Sequence, residues 1–599
     1  MLKKAYLLSA FVLCFHISFS QTTFLQIGSE DMHVLDRLET LSGKLSDTIY
    51  NGDKPESRKN AVYFLEAIMA EQKRDSAKAP DPMSDKPTQL SQIDQYNMAQ
   101  MISENGEWTP KGTGAIYSKH SWFDAFYVKQ YDFGYVKEEN DFFLVVNPIL
   151  SGIVMYQHNT PTPAGIPDKL FTNSQGAELR GWIGKKVGFY TSITDNQEQY
   201  PYFIYRTVSN PNRQEVPGGD YFLLPGQATA SAGRYDYMQA TGYVNFDAVK
   251  NHLNVSFGSG KHFIGDGISS LFLTDYSSSM PFLQLQARVW HINYECLYLE
   301  LTPQYDKNLG DGLLAHKFST IHFLNWNATK WLDVGFFESE VFDRPNVYEI
   351  SYLNPIIFST AINRFNGEGD KSMLGMSFKA IVAKRFQFYG QLMLDEFRAK
   401  DLFSNDGWYG NKWGLQGGAK YFDAFGIKNL DLQGELMAVR PYAYSAKDTF
   451  DNYTNYNQPL ADPLGAGFIK AVGLAKYQPL KDVYVSLKGT YYIQGMDTGS
   501  SNLGNNIFDP YSTAPEAFGV KMINGPKSHC EMLGLNVSYQ LKRNLFIDAG
   551  GTYRRYTNTI ATATDPENST TGYINGSLNT TYFYVGVRIN TSRRDYNFY

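Results

Sequence analysis

Glycine-rich and histidine-containing segments are the first places at which this sequence could carry out chemistry. Gly258-Ser259-Gly260-Lys261 has the composition of a phosphate-binding loop, but its first glycine is missing at the required spacing. His262 also stands where Ser or Thr would be needed, so nucleotide binding is not predicted. The histidines include no HExxH pair, and His316 and His322, on one predicted strand, fit a polar lumen better than a metal site. No GxSxG nucleophile elbow occurs, so we predict that the protein is not an enzyme and has no cofactor or metal.

Aromatic and hydrogen-bonding side chains in the predicted loops are the other candidates for function. Sugars stack their C–H surfaces on aromatic rings and pair their hydroxyls with Asp, Asn or Arg, so a glycan site needs both types where loops converge. The candidate residues are Asp266, Asp275, Tyr276, Arg364, Asn366, Trp408, Tyr409, Tyr442 and Tyr444. Each could equally pack a loop or belong to an aromatic girdle. Asp266 fits a turn first, because the glycines on either side reach positive φ and aspartate caps nearby amides.

The N-terminal part of the sequence has the features of an exported protein. Two early lysines, the apolar stretch 5–15 and the small-residue pattern Ser18-Phe19-Ser20 predict a secretory signal peptide over residues 1–20. Its apolar stretch is too short to span a bilayer, and the rest of the chain has no run of the roughly eighteen apolar residues that a membrane helix needs. Residues 21–115 show apolar side chains at three- and four-residue steps, which predicts a helical subdomain, interrupted by a Pro-rich linker at 79–87.

From residue 116 to residue 599 apolar residues recur at every second position, a spacing that predicts β-strands. Short turns alternate with long polar or aromatic segments, among them 197–234, 343–370 and 492–528. Outer-membrane barrels have short periplasmic turns and long extracellular loops, whereas a series of β-sandwich domains would not alternate so regularly. The 43 Tyr, 40 Phe and 51 Gly suit aromatic girdles and tight turns. We therefore predict an all-β transmembrane barrel of about 18 antiparallel strands, within a range of about 16–20, with a small N-terminal α-helical subdomain.

Strand alternation also predicts which side chains line the lumen of this barrel. The side chains predicted to point inward are Arg180, Arg288, Glu300, Glu338, Glu435, Arg440, Cys296 and Cys530. Charges of both signs in such a set brace a lumen or tune a pore. The break at Asn354-Pro355 suits a loop that folds into the lumen. The last strand, predicted over 581–590, leads to an aromatic chain end that resembles the signal read by the barrel-assembly machinery.

Six segments carry a pattern found in one family of barrels. They are residues 35–43, 257–267, 270–276, 281–283, 352–358 and 457–465. In these segments the chain resembles the Wzi capsule-assembly family, and more closely its relatives in the Bacteroidota, which include the gliding-motility barrel RemB. The positions that match the family pattern as structural residues are Gly265, Gly267, Asn354, Pro355, Pro463 and Gly465.

The resemblance implies a barrel with an attached helical bundle in the outer membrane of a Gram-negative bacterium of the Bacteroidota, exported by the general secretory route. It further implies a lectin-like, non-enzymatic protein that attaches or assembles cell-surface polysaccharide, the capsule. The gliding relatives imply instead an accessory of gliding motility or type IX secretion that acts through protein partners, and a substrate-specific pore is a third hypothesis. Outer-membrane lipid is a partner in each case. The net charge of -6 is spread along the chain and gives no reason to expect nucleic acid as a partner.

Overall fold

The computed structural model describes most of the chain. The described residues are 22–77, 90–109, 135–139, 141–160, 162, 166–208, 234–303, 314–344, 347–356, 358–367, 369–396, 406–498, 501–558 and 576–596. The predicted signal peptide and the Pro-rich linker lie outside these ranges. No helix within the described ranges is long and apolar enough to cross a membrane.

Three N-terminal helices form a small bundle with its own apolar core. Their bounds are Glu30–Ser42 for α1, Arg58–Ala77 for α2 and Gln92–Glu104 for α3; two shorter helices, α4 (Tyr202–Val208) and α5 (Ser359–Asn366), lie in later connections. Leu35 of α1, Leu65 of α2 and Met101 of α3 are buried in one cluster. Apolar residues at three- and four-residue steps put these side chains on one face of each helix. Helix α1 ends at Gly43, whose φ of 77° is the left-handed conformation that glycine adopts readily.

Strands make up most of the remaining described chain. In chain order they are β1 (Asp53–Lys54), β2 (Tyr135–Glu139), β3 (Phe142–Thr160), β4 (Lys169–Ile183), β5 (Val187–Gln199), β6 (Arg234–Val249), β7 (Leu253–Gly260), β8 (Phe263–Ile264), β9 (Met280–Val289), β10 (Ile292–Leu301), β11 (Lys317–Asn327), β12 (Leu332–Phe342), β13 (Lys371–Val382), β14 (Phe386–Glu396), β15 (Lys412–Tyr421), β16 (Leu430–Val439), β17 (Thr454–Asn455), β18 (Gln458–Pro459), β19 (Phe468–Leu480), β20 (Val483–Gly495), β21 (Lys527–Lys542), β22 (Leu545–Asn558) and β23 (Gly576–Ile589). Strand β1 pairs with β8, and β17 with β18, in two small separate sheets.

The main sheet is a closed antiparallel barrel. Its strands from β3 to β22 each pair with the next strand of the sheet, and β23 closes the ring against β3. Of the nineteen strands in this sheet, β2 pairs only with β3, so the described ring contains eighteen. Within this described ring every strand is paired on both sides, which is what a sheet needs in a medium without water. The predicted all-β barrel of about eighteen strands is confirmed.

Side chains alternate between the lumen and the outer wall along each strand. On β21, Leu533 and Leu535 are exposed on the outside, whereas Cys530 and Met532 are buried on the inside. The exposed apolar side chains of such strands form the band that faces lipid in outer-membrane barrels.

The connections at the two ends of the barrel differ in length. At one end, residues 383–385 join β13 to β14 and residues 543–544 join β21 to β22. At the other end, β12 reaches β13 only after residues 343–370, and β16 reaches β19 after 440–467. Outer-membrane barrels place short turns in the periplasm and long loops outside the cell. The two ends are therefore named periplasmic and extracellular.

Three of the side chains predicted to face the lumen point outward. Leu297 packs in the lumen core, so Cys296 and Glu300, which alternate with it, face the outer wall. Phe337 likewise packs inside, and Glu338 faces outward. The prediction was wrong because both faces of β10 and β12 carry large side chains. The local sequence therefore does not show which alternate side chains of these strands face the lumen. The predicted inward side chains that do face the lumen are Arg180, Arg288, Glu435 and Cys530.

The described part of the connection from β12 to β13 lies on the outer wall and not in the lumen. Its described residues 347–356 and 358–367 are named the flap. The hydroxyl of Tyr298 donates to the carbonyl of Leu353 at 3.1 Å, and the thiol of Cys296 donates to that of Pro355 at 3.5 Å. Both donors are on the outward face of β10. The predicted inward fold at the Asn354-Pro355 break is therefore wrong, because the flap finds its hydrogen-bond partners outside.

The chain leaves the wall after β23 and turns into the lumen. Residues 591–596 are named the tail. Arg594 pairs with Glu198, on the inner face of β5, at 3.0 Å, and Tyr596 is buried in the same region. The last strand, Gly576–Ile589, overlaps the predicted one, and Tyr596 lies beyond it in the lumen. Residues 597–599 lie outside the described ranges.

Candidate functional site

The guanidinium group of Arg37 on α1 holds the helical bundle to the barrel. It donates to Asp94 of α3 at 2.8 Å, to Asp423 in the β15–β16 turn at 2.6 Å, and to Asp431 of β16. Burial alone would lower the pKa of Arg37, but the three carboxylates outweigh burial and raise it. Because these partners lie at the periplasmic end, the bundle fills that end of the lumen, and it is named the plug.

The wall-facing side of α1 carries further ion pairs. Asp36 pairs with Lys420 at 2.6 Å, and Glu39 pairs with Lys379 at 3.1 Å. Their three-residue spacing puts both carboxylates on the same side of the helix. Residues 35–43, one of the segments that carry the family resemblance, thus place one face of α1 against the wall and the other in the core of the plug.

The segment after β8, residues 265–279, is folded into the lumen above the plug and is named the inward segment. Glu435 of β16 accepts the amide N–H of Ile268 at 2.8 Å. A Cβ at Gly267 would lie 2.4 Å from this carboxylate, so the close approach requires glycine. Asp266 lies 3.4 Å from Lys379, with its side chain only 9% exposed. The structure therefore places Asp266 inside the lumen, beside a lysine of the wall, and not in an open loop.

Two of the candidate tyrosines are buried in the protein. Tyr442 and Tyr444 are each 1% exposed. The hydroxyl of Tyr442 donates to the carbonyl of Asn502 at 2.9 Å, and that of Tyr444 donates to the carbonyl of Leu271 at 2.8 Å. A buried ring offers no face to a sugar in this structure. Tyr442 fastens two extracellular loops to each other, and Tyr444 fastens its loop to the inward segment.

A cavity of about 810 Å³ lies in the lumen between the plug, the inward segment and the tail. Asp275 and Tyr276 line it, together with Lys261 and Arg594. His262 also lines the cavity, but burial lowers its pKa to about 4, so it adds no charge at neutral pH. The structure thus brings Asp275 and Tyr276 together in an internal chamber of mixed charge.

An aromatic cluster lies in the loops at the extracellular end. The ring of Tyr409 is centred 5.9 Å from that of Trp408 and 6.1 Å from that of Tyr511. All three side chains are partly exposed. The ammonium group of Lys412 lies 3.4 Å from the centre of the Tyr511 ring and 3.2 Å from the carboxylate of Glu396. The three rings and this ion pair are named the aromatic rim.

Backbone hydrogen bonds between loops position the aromatic rim. The N–H of Tyr409 donates to the carbonyl of Ala517 at 3.0 Å, and the N–H of Tyr511 donates to that of Ala446 at 2.9 Å. Two rim residues, Trp408 and Tyr409, are candidates from the sequence. Tyr511 was missed because its contact with them depends on a loop that is distant in sequence, and no local pattern marks it.

The last two candidates, Arg364 and Asn366, lie on the flap. They belong to α5, which packs against β12 and β13. Asn366 donates to the hydroxyl of Ser351, also on the flap, at 3.3 Å. The structure therefore places both residues on the outer wall, and it does not join them to the aromatic rim.

Comparisons with known proteins show the fold. No protein-family model and no curated protein sequence matches the chain. Wzi, an outer membrane protein involved in group 1 capsule assembly in Escherichia coli and a carbohydrate-binding β-barrel, is 12% identical, with a TM-score of 0.52 over 95% of this chain and 100% of that chain. OprD from Pseudomonas aeruginosa is 10% identical, with a TM-score of 0.38 over 74% of this chain and 95% of that chain. The closed barrel and the likeness to Wzi define the chain as a β-barrel of the outer-membrane type.

Proposed function

We propose that the protein holds cell-surface polysaccharide at the extracellular end of its barrel and does not catalyse a reaction on it. The observation that carries the proposal is the aromatic rim. Trp408, Tyr409 and Tyr511 offer partly exposed rings for sugar C–H surfaces, and the Glu396 side chain, 43% exposed, offers an acceptor for sugar hydroxyls beside them. The buried Lys412 holds this carboxylate in place. These are the two kinds of group that a glycan site needs in one place.

The filled lumen favours holding a polymer over passing it through. The plug is fixed by Arg37 at the periplasmic end, the inward segment by Glu435, and the tail by the pair of Arg594 with Glu198. An open channel would leave the lumen free of such segments. The fold shared with Wzi, which is described as carbohydrate binding, supports the proposal, although fold alone does not carry function over.

The experiment is a deletion strain complemented with the native chain or with a Trp408→Ala, Tyr511→Ala double variant. Polysaccharide retained on washed cells is measured, and so is binding of the purified protein to the polysaccharide that the deletion strain sheds. Each ring contributes about 1 kcal/mol to such contacts, so the double variant is expected to bind about 30-fold more weakly. Phe425→Ala, an exposed aromatic in the β15–β16 turn, is the matched control and should bind as the native chain does.

The same strains distinguish the other hypotheses. Spreading on agar is scored in parallel with polysaccharide retention. Loss of spreading with polysaccharide intact would overturn the proposal and would assign the protein to gliding motility or type IX secretion, with protein partners. Ion conductance of the purified barrel in a bilayer would indicate a substrate-specific pore instead.

A further inference from the structure

One row of paired residues on the outer wall changes from apolar to polar and back to apolar across neighbouring strands. The strand register places in this row Leu285, Cys296, His322, Glu338, Leu374 and Leu394. Glu338 is six residues from the periplasmic start of β12. That corresponds to a height of roughly 15 Å, within an apolar band about 25 Å tall. A bare carboxylate at this height would face hydrocarbon, which disfavours charge strongly.

The flap covers this polar patch and is hydrogen bonded to it. Glu338 accepts the N–H of Phe358 at 2.7 Å and the N–H of Thr360 at 2.9 Å. The hydroxyl of Thr320, on β11, donates to the carbonyl of Tyr352 at 3.2 Å. The Cys296 thiol and the Tyr298 hydroxyl of β10 bind two further flap carbonyls. Side chains of the wall thus form hydrogen bonds with both carbonyl and N–H groups of the flap backbone. Irregular backbone at membrane depth is tolerated only when protein groups satisfy it in this way.

The second outward carboxylate under the flap is also satisfied by protein. Glu340 accepts from the hydroxyl of Ser372 at 2.5 Å and from the side-chain amide of Asn363, on α5, at 3.3 Å. Arg344 and Asp370 form a two-bond ion pair, at 2.8 and 2.9 Å, where the flap joins the extracellular ends of β12 and β13. The flap therefore leaves neither carboxylate of the patch to the surroundings.

The other side of the flap is apolar and exposed. The exposed large apolar side chains are Val347, Ile350, Leu353, Ile356, Phe358 and Phe365, from 42% exposed for Leu353 to 90% for Phe365. This surface continues into the lipid-facing wall, where Leu374 and Met376 of β13 are exposed beside it. The flap thus presents to the outside the same chemistry as the strands around it.

We propose that the flap is seated among the acyl chains of the outer membrane and forms part of the lipid-facing wall. It replaces lipid over Glu338 and Glu340 and turns an apolar surface to the acyl chains. The connection from β12 to β13 is then a membrane element and not a free extracellular loop. This proposal is independent of polysaccharide binding, because it rests on none of the residues of the aromatic rim.

The test uses nitroxide labels on the full chain in vesicles of phosphatidylethanolamine and phosphatidylglycerol. Single variants Phe365→Cys and Ile350→Cys carry the label on the flap. Leu436→Cys, on the exposed face of β16, is the lipid control, and Glu516→Cys, in an exposed extracellular loop, is the water control. Collision rates with oxygen and with a soluble nickel chelate are measured by power saturation. Both flap labels are expected to match the lipid control, with high oxygen and low nickel accessibility.

Two other outcomes would overturn the proposal. High nickel accessibility at both flap positions would place the flap in water. Low accessibility to both reagents would indicate a protein neighbour in place of lipid. The unsubstituted chain measures any labelling of the buried Cys296 and Cys530. Heat-dependent gel mobility identifies folded barrels, and two labelled positions keep the test valid if one variant fails to fold.

Discussion

The plug and the flap pack on opposite faces of the same wall and are held by opposite means. The plug is inside, where Arg37, Asp36 and Glu39 form ion pairs with charged side chains of the wall and the periplasmic turns. The flap is outside, where Glu338 accepts backbone N–H groups. Both segments therefore depend on buried carboxylates. The plug meets the wall through ion pairs, whereas Glu338 of the wall binds uncharged N–H groups of the flap.

The surroundings explain this difference. A polar lumen with water, turns and other charges can balance many ion pairs at once. A hydrocarbon surface cannot, so a segment placed there must bury its polar groups against the wall and turn apolar groups outward. The same pattern of residues would fail if the two segments were exchanged, because the plug would present charges to lipid.

The largest effect is expected for Arg37→Met in the plug. The substitution leaves Asp94, Asp423 and Asp431 buried without their shared cation, which costs about 3–5 kcal/mol. We expect the plug helices to become sensitive to protease in folded barrels. Lys44→Met removes an exposed pair with Glu71 and should leave the digestion pattern unchanged. A plug that stays protected in Arg37→Met would show that the ion pairs do not hold it.

A smaller effect is expected for Glu338→Ala under the flap. Two flap N–H groups, those of Phe358 and Thr360, lose their acceptor, at a cost of about 1–3 kcal/mol. Cleavage within the flap by added protease, in detergent, is the measurement. Glu349→Ala, at a partly exposed carboxylate, serves as the control. Equal protection of both variants would contradict the role given to Glu338.

Gly267→Ala tests how tightly the inward segment fits the lumen. The added Cβ would lie 2.4 Å from the carboxylate of Glu435, which is itself held by the N–H of Ile268. Overpacking of this kind costs about 1–3 kcal/mol. The temperature at which the barrel loses its folded gel mobility should fall, whereas Gly434→Ala, which meets no atom within 4 Å, should not change it. An unchanged midpoint for Gly267→Ala would mean that the segment moves freely.

Acid should loosen the plug. Burial alone would raise the pKa of Asp423, but the charge of Arg37 outweighs it and lowers the pKa below its usual 3.8. The stabilisation of the plug by the Arg37–Asp423 ion pair is present above pH 3.8. It is lost as the pH falls through the lowered pKa of Asp423. The loss is smaller than in Arg37→Met, because a protonated carboxyl still forms hydrogen bonds. Plug protection measured with an acid-active protease should decline below that pH in the native chain and show no such step in Arg37→Met.

The barrel could be predicted from the sequence because the patterns that indicate its strands and turns are local. The period of two and the alternation of short and long connections are visible within a few residues, and they were sufficient for the strand number. The helical spacing of Leu35 and Leu38 is local in the same way. The local sequence did not show which side chains of β10 and β12 face the lumen, because Cys296 and Glu338 lie between large residues on both faces of their strands.

The candidate site was only partly visible. Trp408 and Tyr409 stand out as adjacent aromatics in a predicted loop, but Tyr511 joins them through contacts between distant loops. Tyr442 and Tyr444 have the same residue type and the same loop setting, yet they are buried. Residue type alone cannot separate a partly exposed ring from a buried one that fastens a loop.

By itself the sequence determined that the chain closes into a barrel, because closure satisfies every strand edge once alternating strands are present. Only the tertiary structure decided what fills and covers that barrel. The plug, the tail and the flap find their places through contacts between residues far apart in the chain, such as Arg37 with Asp431 and Arg594 with Glu198. Such pairings depend on three-dimensional distance, which residue type and local spacing do not specify.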